Sequence, residues 1–418
     1  MGSLRARLRR AARAPDRARA RAPQRQGADG LSAGAPGAGG SAAARERPAP
    51  VDVVIAGGGT GGHTSPGLAV AAVLREQSIA CAWIGSRKGV EARRVPERSI
   101  PYFAIPTGKL RRYWAWQNVF DLTVSVPVGV ASAARLLHRL RPRVVFATGG
   151  FVALPVVLAA AALRVPIVIH EQTAVPGLAN RIGARFARRI AVTFPDGGGH
   201  FPAAKVVVTG NPLRPELRGG SPDAAVARLG LDASLPLVYV TGGAQGAQRI
   251  NRAVGDALPS LLARAQIIHQ CGDNPATGDR DWLEARRAAL PEPLRARYAI
   301  VPYVGAELAE IYAIAALVVA RAGAGTLNEC CQLGLPALYI PLPRTRGDEQ
   351  TVNARLVERA GGAVVLPQTE LTPARLVTKI GALLGDPRRL KEMGARATTL
   401  AVPDADTRLV SLLTQMWR

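Results

Sequence analysis

One unit recurs in this chain and limits its fold more than any other feature: an apolar strand that runs into a glycine turn and out into a helix. The first copy is the apolar run 51–55, then Ala56-Gly57-Gly58-Gly59-Thr60-Gly61-Gly62-His63-Thr64-Ser65-Pro66, then a helical pattern over 67–74. The second runs from 237–241 into Gly242-Gly243-Ala244-Gln245-Gly246-Ala247, ahead of a helix over 249–264. The third leads from 317–320 into Arg321-Ala322-Gly323-Ala324-Gly325-Thr326-Leu327-Asn328-Glu329. Such a turn sets free backbone N–H groups and a helix N-terminus against an anion. Its glycines permit positive φ and close backbone approach.

Between these units short apolar strands alternate with helices. The pattern predicts strands over 52–56, 80–84, 144–147, 167–169, 190–193 and 205–209, with helices over 65–77, 131–140 and 154–163. After Gly210-Asn211-Pro212-Leu213-Arg214 a Pro- and Gly-rich linker follows, and a second alternation begins, with strands over 237–241, 266–270, 299–302, 317–320, 337–340 and 363–366. Short buried strands separated by helices argue for parallel sheets covered on both faces. The expected fold is therefore α/β, with two doubly wound Rossmann-like halves facing across a cleft at the carboxyl ends of their strands, where such folds bind ligands. The expected division is a tail over 1–50, a first domain over 51–213 joined by a C-terminal helix at about 402–418, and a second domain over 214–401.

The formal charge of +24 is uneven: residues 1–50 carry +8 and the remaining chain +16. An excess of that size favours anionic partners, whether nucleic acid, acidic lipid or phosphorylated substrate, and does not choose among them. The first 50 residues are Arg, Ala, Gly and Pro, with no apolar core of a secretory signal. They read as a disordered tail or an over-extended start, with a transit peptide or a nucleic-acid arm as other readings. The four cysteines, Cys81, Cys271, Cys330 and Cys331, form no C-x-x-C pair, which points away from a disulfide framework or zinc site and toward a reducing compartment. The longest uncharged stretch, 144–163, is broken by Thr148-Gly149-Gly150 and Pro155 and reads as strand, turn and helix rather than a membrane span.

Several segments carry chemistry beyond their fold. His63, at the mouth of the first glycine turn, is either a structural histidine or a group poised over a ligand. Glu329, one turn into its helix, either favours the helix dipole or accepts hydrogen bonds from sugar hydroxyls. Asp348, Gln350 and Asn353 open another helix, as a polar capped turn or as contacts to a polyhydroxylated ligand. Thr148-Gly149-Gly150-Phe151 and His170-Glu171-Gln172-Thr173 each follow a strand, which would put them on the cleft rim or on an ordinary loop. Lys109, Arg111, Arg112, Tyr113, Trp114 and Trp116 mix cations with aromatics, as at a membrane interface, on a single-stranded nucleic acid, or in a plain packing loop.

In order and spacing, 56–66, 148–151, 170–172, 210–214, 242–247, 321–329 and 350–354 resemble the MurG family, over about residues 51–410. These are the UDP-N-acetylglucosamine–N-acetylmuramyl-(pentapeptide) pyrophosphoryl-undecaprenol N-acetylglucosaminyltransferases. The resemblance implies a GT-B fold and inverting transfer of GlcNAc from UDP-GlcNAc to the muramyl 4-hydroxyl of lipid I, giving lipid II. It implies no cofactor or essential metal, no nucleic-acid partner, and peripheral work at the cytoplasmic face of the cell membrane on an anionic surface. Residue by residue, it makes His63 the candidate general base. Its donor set is Thr60, Gly61, Gly62, Thr173, Arg214, Ala244, Val304 (through its backbone, on the uracil), Ala324, Gly325, Thr326, Leu327, Asn328, Glu329 and Gln350. The first loop is also expected to face the diphosphate of the acceptor.

The acceptor side falls to Gly149, Gly150, Phe151, His170, Glu171 and Gln172, and the membrane patch to Arg111, Arg112, Tyr113, Trp114 and Trp116. Three positions depart from the family pattern: Ala244 for Ser, Thr173 for Asn and Phe151 for Tyr. A UDP-GlcNAc 2-epimerase or another UDP-sugar transferase would share the fold. A nicotinamide dehydrogenase would want an acidic residue at the end of the second strand, where Gly85-Ser86-Arg87 stands.

Overall fold

The computed structural model describes residues 49–107, 125–343 and 348–417. The Arg-rich tail before residue 49 and the Arg111, Arg112, Tyr113, Trp114 and Trp116 patch lie outside the described residues.

Two parallel sheets form the framework. The first contains β1 (Val53–Gly57), β2 (Cys81–Ser86), β3 (Tyr102–Ile105), β4 (Val144–Gly149), β5 (Ile167–Glu171), β6 (Arg189–Val192) and β7 (Val206–Val208), in spatial order β3-β2-β1-β4-β5-β6-β7. The second contains β8 (Leu237–Thr241), β9 (Gln266–Gln270), β10 (Tyr298–Val301), β11 (Ala315–Ala320), β12 (Ala337–Tyr339) and β13 (Ala363–Val365), in order β10-β9-β8-β11-β12-β13. In each sheet the order reverses beside the first strand, between β1 and β4 and between β8 and β11. Loops leaving those strands diverge to opposite faces and open a crevice. All three glycine turns of the sequence leave strands at these two reversal points.

Burial follows the strand period. Val53 and Ile55 enter one apolar cluster with Trp83 and Phe146, while Val54 and Ala56 enter another with Ile84 and Val145. In the second sheet Leu237 and Tyr239 face one cluster and Val238 and Val240 the other. Successive side chains point to opposite faces of a strand, so continuous apolar runs mean that helices cover both sides. The Gly61–Glu76 helix lies close enough on the first sheet that a Cβ at Gly67 would come within 2.4 Å of Trp83.

Chain direction reverses once more near the end. The Ala405–Thr414 helix leaves the second half and packs Leu409, Val410 and Leu413 against the cluster of Val53, Ile55, Leu68 and Trp83. At Gly210, with φ +77°, a Cβ would lie 2.5 Å from Val402, so both crossings between halves run side by side.

Two differences from the sequence reading have physical causes. β3 was not expected, because only four residues pair at this sheet edge and two of them are half-exposed. The first helix begins at Gly61 rather than 65, with Pro66 inside it. Helix propensity argues against glycines and an interior proline, but Thr64 N–H already donates to Thr60 O at 3.2 Å, and packing on the sheet holds the turn. His63 is therefore the third residue of a helix, not part of the glycine turn itself.

Leu409 is fully buried in the returning helix. Leu409→Ala is expected to cost about 2–5 kcal/mol, read as a lower urea midpoint; a shift below about 0.5 kcal/mol would mean that this helix adds nothing to the first half.

Candidate active site

The first-half wall is made by two glycine turns in contact. Gly58 and Gly59 follow β1 and have φ +152° and +85°; Gly149 and Gly150 follow β4 and have φ +95° and +79°. A Cβ on Gly150 would sit 2.3 Å from Gly58 O, and one on Gly59 would sit 2.6 Å from the Phe151 ring. Only glycine allows both the backbone angles and this spacing. Glu91, fully buried, holds the assembly from behind. It accepts from Gly59 N at 2.8 Å, Ser86 N at 3.1 Å and Ser86 Oγ at 2.6 Å. Thr60 and Gly61, at the start of the helix, are exposed.

His63 lies where these turns meet. Its Nδ1 is 3.0 Å from Gln172 Oε1 and 3.2 Å from Thr148 O. Gln172 Nε2 donates to the same Thr148 O at 2.6 Å, which fixes the amide with its oxygen toward the imidazole. Thr148 Oγ1 donates to His63 O at 2.6 Å. With two acceptors at Nδ1, that nitrogen carries the proton, and the lone pair of neutral His63 is on Nε2, which has no partner among the described residues. The ring Cδ2 lies 3.2 Å from the position a Cβ on Gly150 would take.

The second-half wall combines two glycine turns and two helix N-termini. A cavity of about 450 Å³ is lined by Gly242, Gly243, Arg249, Gly323, Thr326 and Gln350, among others. The Ala324–Leu333 helix has no acidic residue in its first turn and no side-chain cap, so the N–H groups of Ala324, Gly325 and Thr326 remain open to an anion. Arg321 also lines this cavity; it donates to Ile340 O and Gln368 Oε1, and burial lowers its pKa to about 10, leaving it charged at neutral pH. Arg214 makes a two-point contact to Glu329, Nε and Nη2 both reaching Oε1 at 3.1 and 2.9 Å, while Tyr312 donates to Oε2 at 2.9 Å.

Across the cleft, Ala174 N donates to Asn353 Oδ1 at 3.0 Å and Asn328 Nδ2 reaches Gln172 O at 3.5 Å. Asn353 is 1% exposed and its Nδ2 has no partner.

Comparison with known proteins decides the family. Residues 53–192 match the glycosyltransferase family 28 N-terminal domain and 237–409 the glycosyltransferase family 28 C-terminal domain. A Nocardioides protein named UDP-N-acetylglucosamine–N-acetylmuramyl-(pentapeptide) pyrophosphoryl-undecaprenol N-acetylglucosamine transferase is 40% identical over 375 residues, covering 87% of this chain and 98% of its own length. A Bacillus thuringiensis protein with the same name, numbered 3, is 39% identical over 79% of this chain and 91% of its own. The crystal structure of Acinetobacter baumannii MurG is similar at 30% identity and TM-score 0.67, over 88% of this chain and all of that one.

The chain belongs to the MurG family.

Its architecture is GT-B, which a Neisseria meningitidis UDP-GlcNAc 2-epimerase shares at TM-score 0.60 and 12% identity, a likeness of fold alone. Set against the MurG pattern, Thr326 and Gln350 line the second-half cavity and Arg214 lines a cavity between the halves, while several expected residues are buried. His170 and Glu171, expected on the rim, are 0% and 2% exposed. His170 Nε2 donates to Gly210 O at 3.0 Å. Glu171 accepts from Thr173 N, Thr173 Oγ1, Gly177 N and Asn180 Nδ2. They brace the loop behind Gln172 from within the fold. Thr173, expected on the donor, is buried with its hydroxyl 2.8 Å from Glu171 and 2.9 Å from Val175 O. Leu327, also expected on the donor, is fully buried in the core and its N–H donates to Gly323 O.

The remaining donor residues are placed as follows. Val304 N–H is taken by Gln270 Oε1 at 2.9 Å, so its carbonyl is the backbone atom left for a base. Ala244 is exposed, and its carbonyl accepts from Asp273 N. Gln350 Oε1 accepts from Leu342 N, keeping the amide nitrogen free to point into the cavity it lines. Sequence reasoning missed Glu91, Asn180 and Arg321. Each acts on a neighbour brought close only by folding, and for Glu91 the one local sign was a lone carboxylate six residues past Gly85.

Burial lowers the pKa of His170 to about 4 and of His269 to about 3. Both are neutral when folded and protonate near 6.5 when unfolded, so the unfolded state binds more protons between those limits. Stability is therefore expected to hold above pH 6.5 and to fall as pH drops toward 4, by up to about 1.4 kcal/mol per pH unit for each histidine. Equal urea midpoints at pH 7 and pH 5 would contradict this.

Proposed function

We propose that this chain transfers GlcNAc from UDP-GlcNAc to the muramyl 4-hydroxyl of undecaprenyl-pyrophosphoryl-MurNAc-pentapeptide, with inversion; the names of its relatives give the N-acetylglucosamine transfer and the lipid-linked muramyl-pentapeptide for those proteins. The observation that carries the reading is the pinned imidazole of His63. Gln172 and Thr148 hold the proton on Nδ1, and Nε2 is left without a partner among the described residues, on a ring packed against Gly149 and Gly150.

The steps follow from the walls. The acceptor hydroxyl gives its proton to His63 Nε2 while its oxygen attacks the anomeric carbon of GlcNAc. The bond from that carbon to the β-phosphate oxygen breaks, and UDP leaves. Growing charge on the diphosphate is met by the open N–H groups at Ala324, Gly325 and Thr326, by the Gly242-Gly243 turn and by Arg321. Glu329 and Gln350 suit the hydroxyls of the donor, and the orphaned Asn353 Nδ2 supplies a further donor group beside them. Arg214 first has to share its carboxylate partner, so donor binding rearranges the Arg214–Glu329 pair. Thr60, Gly61 and the helix they open face the acceptor diphosphate.

Among the described residues no helix is long and apolar enough to cross a membrane. With a polyprenyl-linked acceptor and a charge of +16 beyond residue 50, the chain works peripherally on the anionic cytoplasmic face of the membrane.

His63→Ala should lower kcat by about 10²–10⁴ with little change in UDP-GlcNAc affinity, measured by conversion of lipid I to lipid II with labelled donor. An unchanged kcat removes the histidine from the role of base. Turnover of UDP-GlcNAc without acceptor would instead favour an epimerase.

A further inference from the structure

Between the halves lies a cavity of about 340 Å³ lined by Arg214, Tyr303 and Gly305 on one side and Leu68, Arg94 and Arg98 on the other. Tyr303 and Gly305 flank Val304, where the nucleoside base is expected, and Arg214 is the expected nucleotide arginine. The cavity is of the size that takes a small ligand.

Its cations are not equivalent. Arg214 is paired with Glu329, Arg98 with Glu216, and Arg93 with Glu97. Arg94 has no carboxylate partner among the described residues. Its guanidinium stands 5.6 Å from the Tyr303 ring centroid and donates to the Tyr303 hydroxyl. A neutral phenol occupies one donor and leaves the charge and the other N–H groups uncompensated. This arginine ends the short Glu91–Arg94 helix, whose first residue is the carboxylate that holds Gly59 and Ser86. One turn of helix is thus bonded to the first glycine loop at its start and to the second half at its end.

We infer that Arg94 is a donor-binding residue supplied by the acceptor half, closing the nucleoside end of the pocket by stacking on Tyr303 and giving its free N–H groups to the bound nucleoside diphosphate. The planar fork of arginine suits both contacts at once. Through Glu91, occupancy of that pocket steadies the loop beside His63. The inference rests on the reading that this chain binds a UDP-sugar.

The test is calorimetric titration of UDP into the full chain. Arg94→Ala should weaken UDP by about tenfold, and Arg94→Lys, which keeps charge but not the fork, by less. In turnover, the KM for UDP-GlcNAc should rise while that for the lipid-linked acceptor stays within about twofold. Arg388→Ala, which removes an equal charge from an exposed pair with Glu392, should leave UDP binding unchanged. A folded Arg94→Ala with wild-type UDP affinity overturns the inference; should that variant unfold, Arg94→Gln is read the same way. No UDP binding by the unaltered chain would remove the donor reading itself, an outcome visible before any variant is made.

Discussion

Two glycine turns close on each other where the strand order of the first sheet reverses, and the active cleft depends on that contact. Gly150 can approach Gly58 O only without a side chain, and Gly59 can lie under Phe151 only on the same condition. Neither turn could hold itself in water, because positive φ costs backbone entropy and yields few bonds of its own. Glu91 supplies the missing bonds from a buried position, and Thr148 ties the second turn to the first helix through His63 O. A carboxylate with three donors satisfied is a rigid support, whereas the same group left short of partners would be a liability.

That support sets the chemistry. An imidazole acts as a base only with its lone pair directed at the proton to be removed, and direction is set at the other nitrogen. Here the other nitrogen meets an amide oxygen whose own orientation is fixed by a backbone carbonyl. The second half answers with different means: open helix N-termini and a half-buried arginine rather than a titrating group. Charge that develops on a leaving diphosphate is best met by dipoles already aligned, since they need no reorganisation at the moment of reaction. The division of labour proposed for the halves, proton transfer in one and anion stabilisation in the other, matches what each glycine turn presents.

The two halves are not independent shelves. The final helix returns to the first half, the linker carbonyls of Gly210 and Asn211 accept from His170 and Gln332, and Ala174 reaches Asn353 across the cleft. These bonds are polar, as is common where two domains of one chain meet. The Arg94–Tyr303 contact belongs to the same class, placed at the pocket mouth.

Strand positions, the repeated strand–turn–helix unit and the glycine turns were legible because each is a local pattern: period-two burial, punctuating glycines and a following apolar helix stripe. The MurG motifs likewise are short runs, so His63, Glu329, Arg214 and Gln350 could be named without coordinates. Burial of polar groups was not legible. His170-Glu171-Gln172-Thr173 reads as a polar loop because water would satisfy it, yet residues from 148, 177, 180 and 210 satisfy it instead. The helix start at Gly61 was hidden for a related reason, since packing overrode propensity. So the sequence by itself determined two parallel α/β halves and the residue types available for anion and proton chemistry. Tertiary structure alone decided which of those residues are buried, which nitrogen of His63 carries the proton, that Glu91 braces the first glycine turn and that Arg94 reaches Tyr303 in the other half, because partners far apart in the chain meet only in the folded protein.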